Sequence, residues 1–409
     1  MQQGKKILYL TYDGLSDPLG QSQILTYLSG LSALGHNITI VSSEKKGKEA
    51  LISIIEKDLK AKGIKWVNIS YTKSPLILST MYDVYKMLLA CNRLCKEGNY
   101  DIVHCRSYIT SLIGLRLKRK FGLRFIFDMR GFYADERIDG GMWKQSSIIY
   151  RFIYRFFKNR EARFLEKADY SICLTEDARR EIHSWKAIPG QPLMIQVIPC
   201  CANTELFDRS TIDARKRDEL MKELNIEPSD IVVSYVGAVG TWYMLEEMLN
   251  FFKRLLNKYP RSRFLFITHE DPKLILNKAR RRNIPLENIS IKKAIHHEVP
   301  TYLSLSSLSL FFIKPVYSKK ASSPAKQGEI MSMGIPIICN SNIGDIDQII
   351  RDSEAGAIVR SFSEEDYDFI INQIPKLLEL SKDKIRKAAI EIFSLEKGTM
   401  KYNKIYQSL

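Results

Sequence analysis

Short apolar runs alternate with helix-length amphipathic stretches along almost the whole chain, and this alternation limits the possible folds more than any other feature. Lys6–Leu10 (KILYL) reads as a buried strand, and the loop from Tyr12 to Gly20 carries Gly14, Pro18 and Gly20. An amphipathic pattern then predicts a helix from about Gln21 to Leu34, stopped by Gly35. Asn37–Ser42 (NITIVS) supplies the next strand, which makes a strand–helix–strand unit with a right-handed crossover. The same rhythm predicts strands at Ile64–Ile69, Asp101–His104, Leu123–Asp128, Tyr170–Leu174 and Gln196–Ile198. From Cys200 to Asp230 the chain turns polar and weakly patterned, as an interdomain connection with a peripheral helix does. A second series follows at Ile231–Val236, Arg263–Ile267, Ile289–Ile291, Leu308–Ile313, Pro336–Cys339 and Ala357–Val359, and Ser394 to Leu409 closes as a helix rich in Lys and Tyr. Two such series predict an α/β protein of two doubly wound, Rossmann-like domains facing a central cleft, with ligands beyond the carboxyl ends of the strands.

Composition narrows the class of partner. The formal net charge is +16, which favours phosphorylated substrates or an anionic membrane face. Basic residues are spread along the chain without zinc-finger spacing or an RNA-binding aromatic signature, so no nucleic acid is expected. The cysteine count of 7 is odd and shows no framework spacing, and Met1 to Lys6 lacks a signal-peptide core. These features predict a cytoplasmic protein. No uncharged run is long enough to span a bilayer, so any membrane contact, for instance on the inner face, is expected to be peripheral.

The richest stretch for chemistry is 308–344, LSLFFIKPVYSKKASSPAKQGEIMSMGIPIICNSNIG. A strand ends near Ile313, and Ser323-Pro324 predicts a helix with Ser at the N-cap and Pro at the first helical position. A helix N-terminus at a strand's carboxyl end is a ready anion site. Lys326 falls in that first turn, where a cation costs a few tenths of a kcal/mol unless an anion is bound. Glu329 lies three residues on, about 4.5 Å along the axis on the same face. Together they would offer a cation and N–H groups to a diphosphate and a carboxylate to ribose hydroxyls. A plain surface Lys–Glu pair fits the same spacing.

SSPAKQGEIMSMGIPII resembles the nucleotide-sugar motif of the GT-B glycosyltransferases related to family 4. DPLGQSQ, VIPCCANTELF, YVGAVGTW and HHEVPTYLS fall in that family's order, so the resemblance spans nearly the whole chain. It implies a GT-B fold with an acceptor-side domain over residues 1–199, completed by the helix 394–409, and a nucleotide-sugar domain over 200–393. The enzyme would be of hexosyltransferase type, retaining and metal-independent, with the nucleotide-sugar as substrate and no cofactor. The acceptor would be a polysaccharide or lipid-linked glycan. Glu329 would hold the ribose and Ser323 and Lys326 the diphosphate. Gly237, Gly240 and Gly344 would let the backbone approach the donor and Thr241 would bind it too, with Gly20 lining the cleft from the other side and His104 matching a common acceptor-side position.

The sequence also departs from that family. Where many relatives carry an Arg and a Lys on the diphosphate, Ala238 and Tyr243 stand; Ala321 replaces the usual first glutamate, and Arg130 replaces a frequent histidine. Either the phosphate cations have moved to Lys326 and Arg130, or the chain is a non-catalytic, nucleotide-sugar-binding partner subunit. A dinucleotide oxidoreductase is disfavoured, because no GxGxxG follows the first strand. The block Arg130 to Trp143 (RGFYADERIDGGMW) reads as a functional loop, with Asp135, Glu136 and Asp139 as acceptor-handling carboxylates, one of them able to take a proton. A solvated acidic turn fits it as well. Asp345 and Asp347 read as helix-capping residues, and His296 lacks metal-ligand companions. In Ile148 to Phe164, Arg151, Arg155 and Lys158 form one stripe and Ile149, Phe152, Ile153 and Phe156 another, which suits either a core-facing helix or a peripheral membrane helix.

Overall fold

A computed structural model describes residues 4–186, 188–191 and 193–409. The chain divides into two compact units, Met1–Pro199 with Leu395–Leu409, and Cys200–Ser394.

The first unit is a parallel sheet of β1 (Lys6–Thr11), β2 (Asn37–Glu44), β3 (Lys65–Ser70), β4 (Ile102–Arg106), β5 (Arg124–Asp128), β6 (Tyr170–Cys173) and β7 (Ile195–Val197) in the order β3-β2-β1-β4-β5-β6-β7. The second contains β8 (Ile231–Val236), β9 (Ser262–Ile267), β10 (Ile289–Lys292), β11 (Leu308–Phe311), β12 (Ile337–Asn340) and β13 (Gly356–Val359) in the order β10-β9-β8-β11-β12-β13. All the pairings are parallel, as in β8 with β9, where Ile231 faces Ser262 and Val236 faces Ile267. Parallel strands covered by helices on both faces must be apolar on both sides, which is why β1, β4 and β8 read as continuous runs rather than alternations. The strand order reverses between β1 and β4 and between β8 and β11, the topological switch points beyond whose carboxyl ends open α/β sheets bind their ligands.

After β1 the chain folds back in a tight loop. The buried Glu44 carboxylate at the end of β2 accepts hydrogen bonds from Leu15 N (2.7 Å), Ser16 N (3.1 Å), Ser16 Oγ (2.6 Å) and Ser42 Oγ (2.6 Å). The helix expected from Gln21 begins earlier, with a turn at Pro18–Gly20 and a wide π-helical turn at Gln21–Leu25 before the regular helix Thr26–Ala33. Gly20 permits this approach, since a Cβ there would lie 2.2 Å from the Gly14 carbonyl oxygen.

Two other expectations are corrected. The block after β5 is a helix, Tyr133–Asp139, rather than an open loop. In the helix Ile148–Lys167, Lys158 does not share an outward stripe with Arg151 and Arg155: its ammonium bonds Asp135 Oδ2 at 2.9 Å and also Glu161, which is buried. The terminal helix Leu395–Ser408 packs against Thr26–Ala33 within the first unit and buries Tyr402 and Tyr406.

Candidate functional site

The second unit's switch point gathers the residues named around Glu329. From the carboxyl end of β8 comes the turn carrying Gly237 and Gly240. From β11 comes the segment that leads through Lys319 to the helix Ala325–Ser332. The two are stitched together: Tyr243 bridges Ile313, Met244 N donates to Phe312 O (2.9 Å), and Lys314 N donates to Trp242 O (2.9 Å).

Lys326 is buried, and among the described residues its Nζ has no hydrogen-bond partner. The ammonium lies 4.0 Å from the ring centroid of Tyr235, 3.6 Å from that of Tyr243 and 6.0 Å from that of Phe311. Burial pulls its pKa well below the usual lysine value, and the nearby Glu329 carboxylate opposes this in part. Gly237 has φ +105°, and a Cβ there would sit 3.3 Å from Lys326 Nζ, so a side chain at this position would be strained and would crowd the ammonium. Beside it, Lys319 Nζ lies 3.6 Å from the Trp242 ring centroid. Tyr243 is thus one wall of an aromatic box around the Lys326 ammonium. Burial pushes its phenol up to about 12.

Glu329 is half-buried, and its Oε1 lies 3.0 Å from His296 Nε2. That bond raises the His296 pKa against an opposing desolvation. His296, set aside above for want of metal companions, is therefore the carboxylate's orienting partner; its place in HHEVPTYLS was the available signal. Ser323 does not cap the helix. Pro324 occupies the N-cap position, and Ser323 Oγ accepts from Cys200 N at 3.2 Å. Thr241 adopts positive φ (+27°), and Gly240 has open space around it. The Gly344 N–H is taken by Lys319 O (2.9 Å). Asp345 occupies an N-cap position without a side-chain cap bond, while Asp347 Oδ2 accepts from Asn342 N (2.9 Å). Among the described residues, no three or more His, Cys, Asp or Glu side chains are grouped to hold a metal.

In the first unit, His104 and Arg130 belong to one buried network. His104 Nδ1 lies 2.7 Å from Tyr406 Oη and its Nε2 3.5 Å from Asp128 Oδ2, which accepts from Tyr402 Oη at 3.0 Å. Arg130, at φ +58°, sets Nη1 3.8 Å from Asp128 Oδ1. Burial would raise the Asp128 pKa, but Arg130, His104 and Arg106 together hold it below the usual value. Burial pulls the His104 pKa down, favouring neutral imidazole. With 1% of its surface exposed, His104 has no face to offer an acceptor here, which corrects the sequence expectation. Asp135 is corrected too: its carboxylate accepts from Tyr154 Oη (2.8 Å) and Lys158 Nζ (2.9 Å) and so is engaged within the fold. Glu136 and Asp139 lie half-buried on the same helix.

Comparison with known proteins agrees with this architecture. The solved structures it resembles include sucrose-phosphate synthase from Thermosynechococcus elongatus (TM-score 0.75, 15% identity, 99% of this chain and 98% of the other covered). Anabaena HepE in complex with UDP-glucose is also similar (TM-score 0.71, 13% identity, 99% and 100% covered), as is a glycosyltransferase from Rickettsia africae (TM-score 0.69, 16% identity, 99% and 98% covered). No match was found among curated protein sequences. The description Glycosyltransferase Family 4 matches residues 20–206, and Glycosyl transferases group 1 matches residues 216–391. With both halves matched in order on two Rossmann-like domains, the chain belongs to the GT-B glycosyltransferases of the family 4 type.

Proposed function

We propose that this glycosyltransferase uses a nucleotide-diphospho-sugar bound at the second unit's switch point and passes a hexose to a polysaccharide or lipid-linked glycan. The observation that carries the reading is the Lys326 ammonium, buried without a hydrogen-bond partner in the first turn of a helix, beside Gly237. A cation so placed gains a full partner only when an anion arrives, and a departing diphosphate is such an anion. Glu329, oriented by His296, accepts the ribose hydroxyls. UDP-glucose bound by the structurally similar HepE supports this class of donor. Arg130 directs its charge at Asp128, so phosphate neutralisation is assigned to Lys326 and the helix N–H groups. Retention of configuration, independence of metal and cofactor and the acceptor role of the first unit follow from the family resemblance, while peripheral contact with the inner membrane face is inferred from the net charge of +16 and the basic aromatic helix Ile148–Lys167. No helix among the described residues is long and apolar enough to cross a membrane.

A thermal-shift screen over UDP-, GDP-, ADP- and dTDP-sugars tests the donor. A ligand at a hundredfold its Kd stabilises by about 2.7 kcal/mol. Absence of a shift with every donor would remove the reading. Turnover is expected to survive EDTA, and reversible loss on chelation would show that Lys326 and the helix terminus are not sufficient. The replacements Ala238 and Ala321 keep one rival in view, a subunit that binds donor without turnover; slow hydrolysis of the bound donor would exclude it.

A further inference from the structure

Three helices cover one face of the first unit's sheet. The right-handed crossovers from β3 to β4, β4 to β5 and β5 to β6 put Leu76–Glu97, Ser107–Phe121 and Ile148–Lys167 on the same side, and the middle helix packs against both neighbours. The outer two leave large apolar side chains in solvent. On Leu76–Glu97, Leu78 (64% exposed), Met81 (64%), Tyr85 (58%) and Leu89 (51%) recur at helical spacing as one outward stripe. On Ile148–Lys167 the first turns expose Ile148 (76%) and Phe152 (70%). Scattered surface apolar residues are ordinary, but two stripes on one face are not.

The charges on this face have one sign. The middle helix contains no Asp or Glu and exposes Arg116, Arg119 and Lys120 between the stripes. Arg151 and Arg155 are exposed beside Phe152, and Arg93 and Lys96 extend the basic surface. Of the four carboxylates on the three helices, Asp83 and Glu161 are buried, while Glu97 and Glu166 sit in the last turns beside Arg93 and Lys167. Two copies meeting through such a face would set like charges against each other. Protruding Leu, Met, Tyr, Ile and Phe amid Lys and Arg instead match a bilayer whose headgroups are anionic and whose acyl region takes apolar side chains.

We infer that the outer face formed by Leu76–Glu97, Ser107–Phe121 and Ile148–Lys167 docks onto an anionic lipid bilayer, the two apolar stripes inserting on either side of a central basic band. The inference rests on the peripheral-contact reading above and adds the surface: the principal anchor is the Leu76–Glu97 stripe, with Lys158 excluded because it serves the interior.

The full chain should float with vesicles of phosphatidylcholine and phosphatidylglycerol at low salt, release at high salt, and stay unbound with phosphatidylcholine alone. Arg116→Gln with Arg119→Gln should weaken partition about thirtyfold, at about fivefold per charge. Leu78→Ser, Met81→Ser and Tyr85→Ser together should weaken it by at least tenfold. All these side chains are solvent-exposed, so thermal melting should be unchanged. Flotation of wild type and both variants alike would overturn this surface and leave the peripheral-contact reading standing. Failure of the wild type to float would overturn both, while the donor reading would still be judged separately by thermal shift. A concentration-dependent dimer that the variants dissolve would assign the face to a second copy and overturn the inference.

Discussion

Replacing Lys326 by Met should stabilise the empty protein while destroying its response to donor. Met fills a similar volume and carries no charge. The effective cost of burying an ammonium in a protein is several kcal/mol. The faces of Tyr235 and Tyr243 return up to about 2 kcal/mol each when desolvated. No hydrogen bond offsets the remainder, because Nζ has none. A net gain of about 1–2 kcal/mol follows for Lys326→Met, or roughly 3–6 °C in Tm for a domain of this size. The pH dependence adds a check. Unfolded, this lysine binds its proton up to about its ordinary value of 10.5; folded, it releases it well below that. Between the two the unfolded state binds more protons, so wild type gains stability as pH rises and the advantage of Met shrinks toward 10.5. Differential scanning fluorimetry, with and without UDP-glucose or whichever donor the screen identifies, reads both effects. A lower Tm for Lys326→Met with the donor-induced shift intact would refute the reasoning, because the buried cation would then be structural.

Other consequences are open to direct measurement. Glu329→Ala should raise donor KM more than it lowers kcat, since the ribose is remote from the bond that breaks, whereas Lys326→Ala should lower kcat on the order of a hundredfold; steady-state kinetics separates the two. The His296–Glu329 pair should contribute fully below the ordinary histidine value of 6.5 and fade as pH rises through the raised folded value, so the stability gap between wild type and His296→Ala should close in mildly alkaline buffer. Glu44→Ala strands four donors, three of them in the loop after β1, and should cost about 3–4 kcal/mol in urea denaturation. Gly20→Ala forces a methyl against the Gly14 carbonyl and should cost about 2–3 kcal/mol, read in the same way.

The thirteen strands among the described residues all coincide, within a residue or two, with apolar runs visible in the sequence. A strand buried on both faces of a parallel sheet has to be apolar along its length, so the information is local. The same holds for the helix carrying Lys326 and Glu329, where Pro324 and the flanking strands mark the place and only the capping residue was misassigned. Local pattern could not say which charges were already engaged. Asp135 looked available for an acceptor, yet Lys158, separated by 23 residues, holds it. Charge density in Arg130 to Trp143 likewise suggested a loop where packing against Ile148–Lys167 supports a helix. The box around Lys326 draws Tyr235 and Tyr243 from the β8 side and Phe311 from β11, a set that exists only because those strands are neighbours. Secondary structure follows from periodicity over a few residues. The state of a charge is decided by what lies within a few ångströms of it, and for Lys326, His104 and Asp135 those neighbours come from distant parts of the chain.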